Sequence, residues 1–234
     1  MTSQIQKIAI LVAALVVIGG GIVGASVLQI GPFGSNERGP VIATVDGQPI
    51  YLTDARSRLE GLTSVHGGSD LEKTLGPNWQ EMILQSLVDD HILQQEADRR
   101  GISVTDQDVA IALQRVQQMF NSAAEFQKWL DGQGMTQAEL ESRIRLQTLA
   151  ADVYNAVTAD VTVTDGEVRA YYEKTKDKYV GSDGQPLPLS TVRASLRKDL
   201  EKKGKDQAYA TWLQKARTQV NVQVLLEDWW KDLA

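Results

Sequence analysis

Val41-Ile-Ala-Thr-Val-Asp-Gly-Gln-Pro-Ile-Tyr51 decides how the rest of the chain is read. Val41–Val45 is rich in β-branched residues, and Asp46-Gly47 is a strong tight-turn signal. Gln48-Pro49-Ile50-Tyr51 then returns before helical patterning begins at Thr53. A lone hairpin is barely stable in water, so it needs a partner. Val220, Val222 and Val224 alternate with Asn221 and Gln223 at the far end, a period-two pattern. The chain therefore starts and ends in strand-like segments with helices between. The economical fold is mainly α: a multi-helix body on which a small sheet pairs the N- and C-terminal strands.

The helices carry clear start signals. Thr136-Gln-Ala-Glu139, Thr164-Asp-Gly-Glu167 and Ser122-Ala-Ala-Glu125 fit the capping box, and Thr105-Asp-Gln-Asp108 is a shorter version. A long helix is expected from Pro77 to about Arg100, stopped by Gly101. Its apolar residues, from Trp79 to Leu93, cover so much of its circumference that it should be central. Val180-Gly-Ser-Asp-Gly-Gln-Pro-Leu-Pro-Leu189 breaks the pattern, and Ser190 opens a last long helix in which Gly204 marks an expected bend. Val104-Thr-Asp-Gln-Asp-Val109 echoes Val163-Thr-Asp-Gly-Glu-Val168, the same helix-start chemistry used twice.

Upstream of the hairpin, Ile8 to Ile30 is interrupted only by Ser26 and Gln29. As a helix it would reach roughly 34 Å, against a hydrocarbon core of about 30 Å. It reads as an uncleaved transmembrane anchor, since the apolar core of a cleaved signal peptide is shorter. A signal peptide cut after Gly24 and Ala25 is the alternative. Lys7 before the span favours an N-terminus inside and the remainder outside. Gly20 and Gly24 stand at the GxxxG spacing that pairs helices, which leaves a homodimer open, although a glycine-rich span makes such spacings by chance. The organisation expected is 1–7 cytoplasmic, 8–30 anchor, 31–40 linker, 41–225 folded domain and 226–234 tail.

The 234 residues include no cysteine and only two histidines, His66 and His91. Disulfides, thiolate chemistry and cysteine-type zinc sites are excluded. Beyond residue 30, 23 bases face 30 acids, net −7, with no sustained basic patch, so no nucleic-acid partner is expected. Asp89-Asp90 and Glu227-Asp228 are adjacent carboxylates, but neighbours on a helix point to different faces, and both pairs read as solvated. No nucleophile motif or phosphate-cradling loop occurs. Catalytic residues, cofactors and metals are therefore all expected to be none. What remains is apolar. Met119, Phe120, Phe126, Trp129 and Met135 cluster in a short stretch that is either the contact between short helices or a client-binding surface. Trp229 and Trp230 are too apolar to stand free in water; they either dock on the domain or offer an interface to a partner or membrane surface.

The order of these signals resembles the exported foldase family that includes PrsA and SurA, in its SurA-type N-terminal domain. Val41 to Ile50 resembles its opening strand. Leu87-Val88, Ile92-Leu93, Ala97 and Gly101-Ile102 resemble its central helix, followed by Val104-Thr105-Asp106. Phe126 to Arg145, Val163 to Tyr172, Val192 to Leu213 and Val220 to Val224 complete a likeness over about residues 41–225. Members usually carry a parvulin prolyl isomerase domain between the Tyr179-like position and the last helix. Here only residues 180–189 join them, too few for a domain. The resemblance thus implies a membrane-tethered, extracytoplasmic chaperone that binds unfolded exported polypeptides on an apolar cleft without ATP. A prolyl isomerase with a degenerate site, and an envelope scaffold for one partner, are the alternatives.

Overall fold

The computed structural model of the chain describes residues 39–66, 73, 76–133 and 135–233, the side chains of 63–66 excepted. The expected cytoplasmic segment 1–7, the anchor 8–30 and most of the linker lie outside the described residues. Among the described residues no helix is long and apolar enough to cross a membrane.

β1 (Val41–Val45) turns at Asp46-Gly47 into β2 (Gln48–Tyr51). Both turn residues have positive φ, 51° and 82°, as a tight two-residue hairpin turn requires. β3 (Val222–Val224) lies antiparallel on the other side of β1, giving the order β2-β1-β3. Ala43 faces Val224, Thr44 faces Gln223 and Val45 faces Val222. Asp46 closes this clasp twice: its amide donates to the Asn221 carbonyl at 2.9 Å, and its carboxylate accepts from the Asn221 amide at 2.8 Å. Val220 lies outside the strand, in the turn after the last helix.

Among the described residues seven α-helices of two turns or more lie in the interval: α1 (Leu52–His66), α2 (Trp79–Arg100), α3 (Asp106–Gln117), α4 (Ala123–Gly132), α5 (Gln137–Val157), α6 (Asp165–Thr175) and α7 (Leu189–Arg217). α2 starts at Trp79 rather than Pro77, which sits with Asn78 in the preceding turn. The boxes at Thr105, Thr136 and Thr164 are fully formed. The one at Ser122 is half-made. Its hydroxyl accepts from the Glu125 amide, but Glu125 accepts instead from the backbone and side-chain amides of Asn121, which offer it two donors. α7 runs on through Gly204 as one helix. The glycine serves packing there: a Cβ at 204 would stand 2.9 Å from Val161 Cγ1.

Among the described residues, buried side chains form four clusters. The sheet, α1 and the first half of α2 enclose one, with Trp229 among them. α3, α4 and the start of α5 enclose a second. α2, α5 and α7 meet in a third through Leu93, Ala97, Leu149, Val153 and Tyr209. α6 and the first half of α7 make a fourth from Val168, Tyr172, Val192 and Leu196. α2 contributes to two of them, as its broad apolar surface predicts.

Candidate functional site

α3 ends at Gln117, and the following turn carries Met119 and Phe120; their amides donate to the carbonyls of Val116 and Gln117, each at 3.1 Å. α4 places Phe126 and Trp129 one turn apart on one face. Met135 immediately precedes Thr136, the cap of α5. The structure brings the three rings together. Phe120 lies 5.5 Å from both Phe126 and Trp129 between centroids, and Phe126 stacks on Trp129 at 6.2 Å. Phe126 and Met135 are buried among Val109, Leu113, Val116, Leu130, Leu140 and Ile144. Phe120 and Trp129 are half-buried and present the solvent side of this triangle; Met119, next to Phe120 in the chain, is half-buried too. The Trp129 indole N–H is buried and has no acceptor among the described residues. An arm of this kind offers apolar area and polarisable sulfur.

Trp229 opens a short 3-10 turn, Trp229–Leu233, that folds back onto the sheet end of the body. It is 2% exposed and meets Trp79 edge-on at 6.4 Å. Trp230 is half-buried, 5.9 Å from Trp229. Arg56 of α1 donates to the Asp232 carbonyl at 2.8 Å, so the tail is held by a hydrogen bond as well as by its rings.

The sequence reading places the carboxylates Asp89 and Asp90 on a solvated face; the structure corrects this, since both are buried. Each answers an arginine from a different helix. Asp90 pairs with the buried Arg58 of α1. Asp89 takes a two-point bond from Arg217 of α7, at 2.7 and 2.5 Å, and a third from Gln85 at 3.1 Å. Asp89 raises the Arg217 pKa, chiefly through these bonds, and burial followed by Asp89 and Asp90 raises that of the Tyr209 hydroxyl. A legible signal existed: Arg58 stands in the apolar stripe Ala55, Leu59, Leu62, where an arginine needs a buried partner. His91 is half-buried, and desolvation holds its imidazole below the ordinary value while Asp54 opposes it. The side chain of His66 lies outside those described. No group of three His, Asp or Glu among the described residues could hold a metal ion. This network joins α1, α2 and α7.

A family model for the SurA-like N-terminal domain matches residues 1–154. The chain belongs to that family. It is 26% identical over 159 residues to the foldase protein PrsA of Clostridium perfringens, covering 62% of this chain and 46% of that one. It is 28% identical over 173 residues to PrsA of Clostridium acetobutylicum, covering 68% and 51%. It is 29% identical over 159 residues to the chaperone SurA of Cupriavidus metallidurans, covering 67% and 32%. The chain thus spans about half, or less, of the length of these relatives. A solved structure of a SurA-like chaperone from Campylobacter jejuni superposes with a TM-score of 0.58 at 11% identity, over 79% of this chain and 98% of that one, a likeness of fold.

In this SurA-like N-terminal chain the repeated Val-Thr-Asp motif is one joint built twice. At the first, Thr105 caps α3 while Arg145 of α5 donates to the Val104 carbonyl and to Asp106. At the second, Thr164 caps α6 while Arg197 of α7 donates to the Val163 carbonyl and to Asp165. The echo in sequence covered only the caps; the arginines lie 39 and 32 residues beyond the aspartates they bind.

Proposed function

We propose that this protein is a membrane-tethered extracytoplasmic chaperone that holds unfolded exported polypeptides without ATP. The observation that carries the reading is its membership of the SurA-like N-terminal family, with PrsA foldases and a SurA chaperone among its relatives. Residues 8–30 supply the tether, with the body outside. The client surface is the aromatic arm, in which Met119, Phe120 and Trp129 offer their half-buried sides and Phe126 and Met135 back them. Apolar contact at about 25 cal/mol per Å² is weak and non-directional, which lets one surface hold many sequences.

The test is dilution of reduced, denatured lysozyme into buffer with the full chain in nanodiscs and no nucleotide, followed by light scattering. Slower aggregation is expected, and weaker slowing by Phe120→Ser/Trp129→Ser of unchanged helicity. A well-folded full chain that does not slow scattering removes the proposal.

A further inference from the structure

The two edges of the small sheet are built differently. β2, on one side, carries Pro49, pairs through a register shift between Val41 and Ala43, and runs directly into α1. Proline and irregular pairing are the devices by which proteins keep an edge strand from recruiting another chain. β3, on the other side, has none of them. From Thr218 to Leu226 no residue is charged and none is proline. Val222, Val224 and Leu225 are 39%, 49% and 57% exposed. Among the described residues no strand lies on the outer side of β3.

The parity of the ladder says which groups face outward. The Asn221 carbonyl accepts from Asp46, and the Leu225 amide donates to Ile42 at 2.8 Å, so residues 221, 223 and 225 turn their backbone groups inward to β1. Val222 and Val224 turn theirs to solvent. Their side chains lie opposite Val45 and Ala43, both fully buried on the helix-covered face. The apolar face of the sheet therefore extends one strand further than the helices cover it.

We infer that the outer edge of β3 captures an extended polypeptide segment with apolar residues at alternate positions, which adds to the sheet as a fourth strand. This goes beyond the aromatic arm but rests on the client-binding reading. Outward N–H and C=O groups at Val222 and Val224 call for an extended backbone, which a folded helix cannot offer. Apolar side chains at every second residue of the segment would continue the face of Val222 and Val224. A second copy of this chain is the weaker occupant. A three-residue strand with exposed Val222 and Val224, followed by exposed Leu225, falls far short of the roughly 1,200–2,000 Å² that a stable interface buries. A short segment held briefly fits that area. The net −7 of the chain beyond residue 30 disfavours acidic segments.

The experiment uses the full chain in detergent micelles and a fluorescent peptide, Lys-(Thr-Val)4-Lys. Binding should protect the amides of Val222 and Val224 from hydrogen exchange. A peptide N-methylated at alternate residues, with the same side chains but one backbone edge blocked, should bind about tenfold more weakly, as loss of backbone bonds requires. Val224→Pro should weaken binding similarly; it deletes an outward N–H and no ladder bond to β1. The methylated peptide keeps the test decisive if that variant folds poorly. Equal binding of both peptides, or binding without protection at 222 and 224, overturns the edge and leaves the holdase reading intact. So does a full chain that slows lysozyme aggregation but does not bind the peptide. Protection of the same amides in peptide-free protein that sediments as a dimer assigns the edge to a second copy and also overturns the inference. Failure in both assays removes both readings.

Discussion

Arg58 and Asp90 face each other in the interior, where removing one partner strands the other charge. Arg58→Met should cost about 3–5 kcal/mol in urea unfolding, and Arg58→Met/Asp90→Leu should recover most of that loss. A single variant as stable as wild type would mean that solvent reaches the site. His91 gives the second prediction at this scale. Its folded pKa is lowered by burial, below the ordinary 6.5 of an unfolded chain. Below 6.5 the unfolded state binds more protons, so stability present above that pH is lost as the pH falls toward the folded value. The urea midpoint should drop between about pH 7.5 and 5.5, and His91→Gln should flatten that part of the curve. The Tyr154 hydroxyl, pushed up to about 12 by burial and then by its 2.9 Å bond to Asp206, stays protonated throughout this range.

At the scale of elements, α7 shows how a weak helix former can be required. Gly204→Ala should gain about 1 kcal/mol from propensity, but the new Cβ would meet Val161 Cγ1 at 2.9 Å. The single substitution should therefore fall short of that gain. Adding it to Val161→Ala should restore the gain, with a coupling of at least about 0.5 kcal/mol in a double-mutant cycle. The helix starts follow simpler rules. Thr136→Ala removes the acceptor for the Glu139 amide and should cost about 1 kcal/mol, read from thermal unfolding. The box carboxylate Glu139 is held below its ordinary pKa by the Thr136 amide, so its share of stability is lost as the pH falls through that lowered value. These starts were legible because a cap and its acid lie three residues apart. The arginines that lock two of the joints were not, because they arrive from other helices.

For the whole molecule, the tail and β3 hold the N-terminal hairpin to the helices. Trp229→Ala should cost about 3–5 kcal/mol, since the ring fills the first core beside Trp79. The loss should appear as a lower urea midpoint and as faster proteolysis near both ends of the body. A truncation after Val224 that kept full stability would deny the tail this role. The expected pairing of first and last strands came from a β-rich hairpin that could not be stable alone and an alternating segment at the far end, and β1 and β3 do pair.

The sequence alone determined the local grammar of this protein: where most helices begin, that strands flank the helical body, that α2 is central, and which family motif order it follows. Those features are set by neighbours within about four residues or by simple period, and so are visible in one dimension. Tertiary structure decided the rest. It buried Asp89 and Asp90 against arginines on two other helices, docked Trp229 in a core, split the aromatic arm into buried and half-buried sides, and left no strand outside β3 among the described residues. Burial and pairing depend on which distant surfaces meet, and a residue's type does not say which of its faces will be covered.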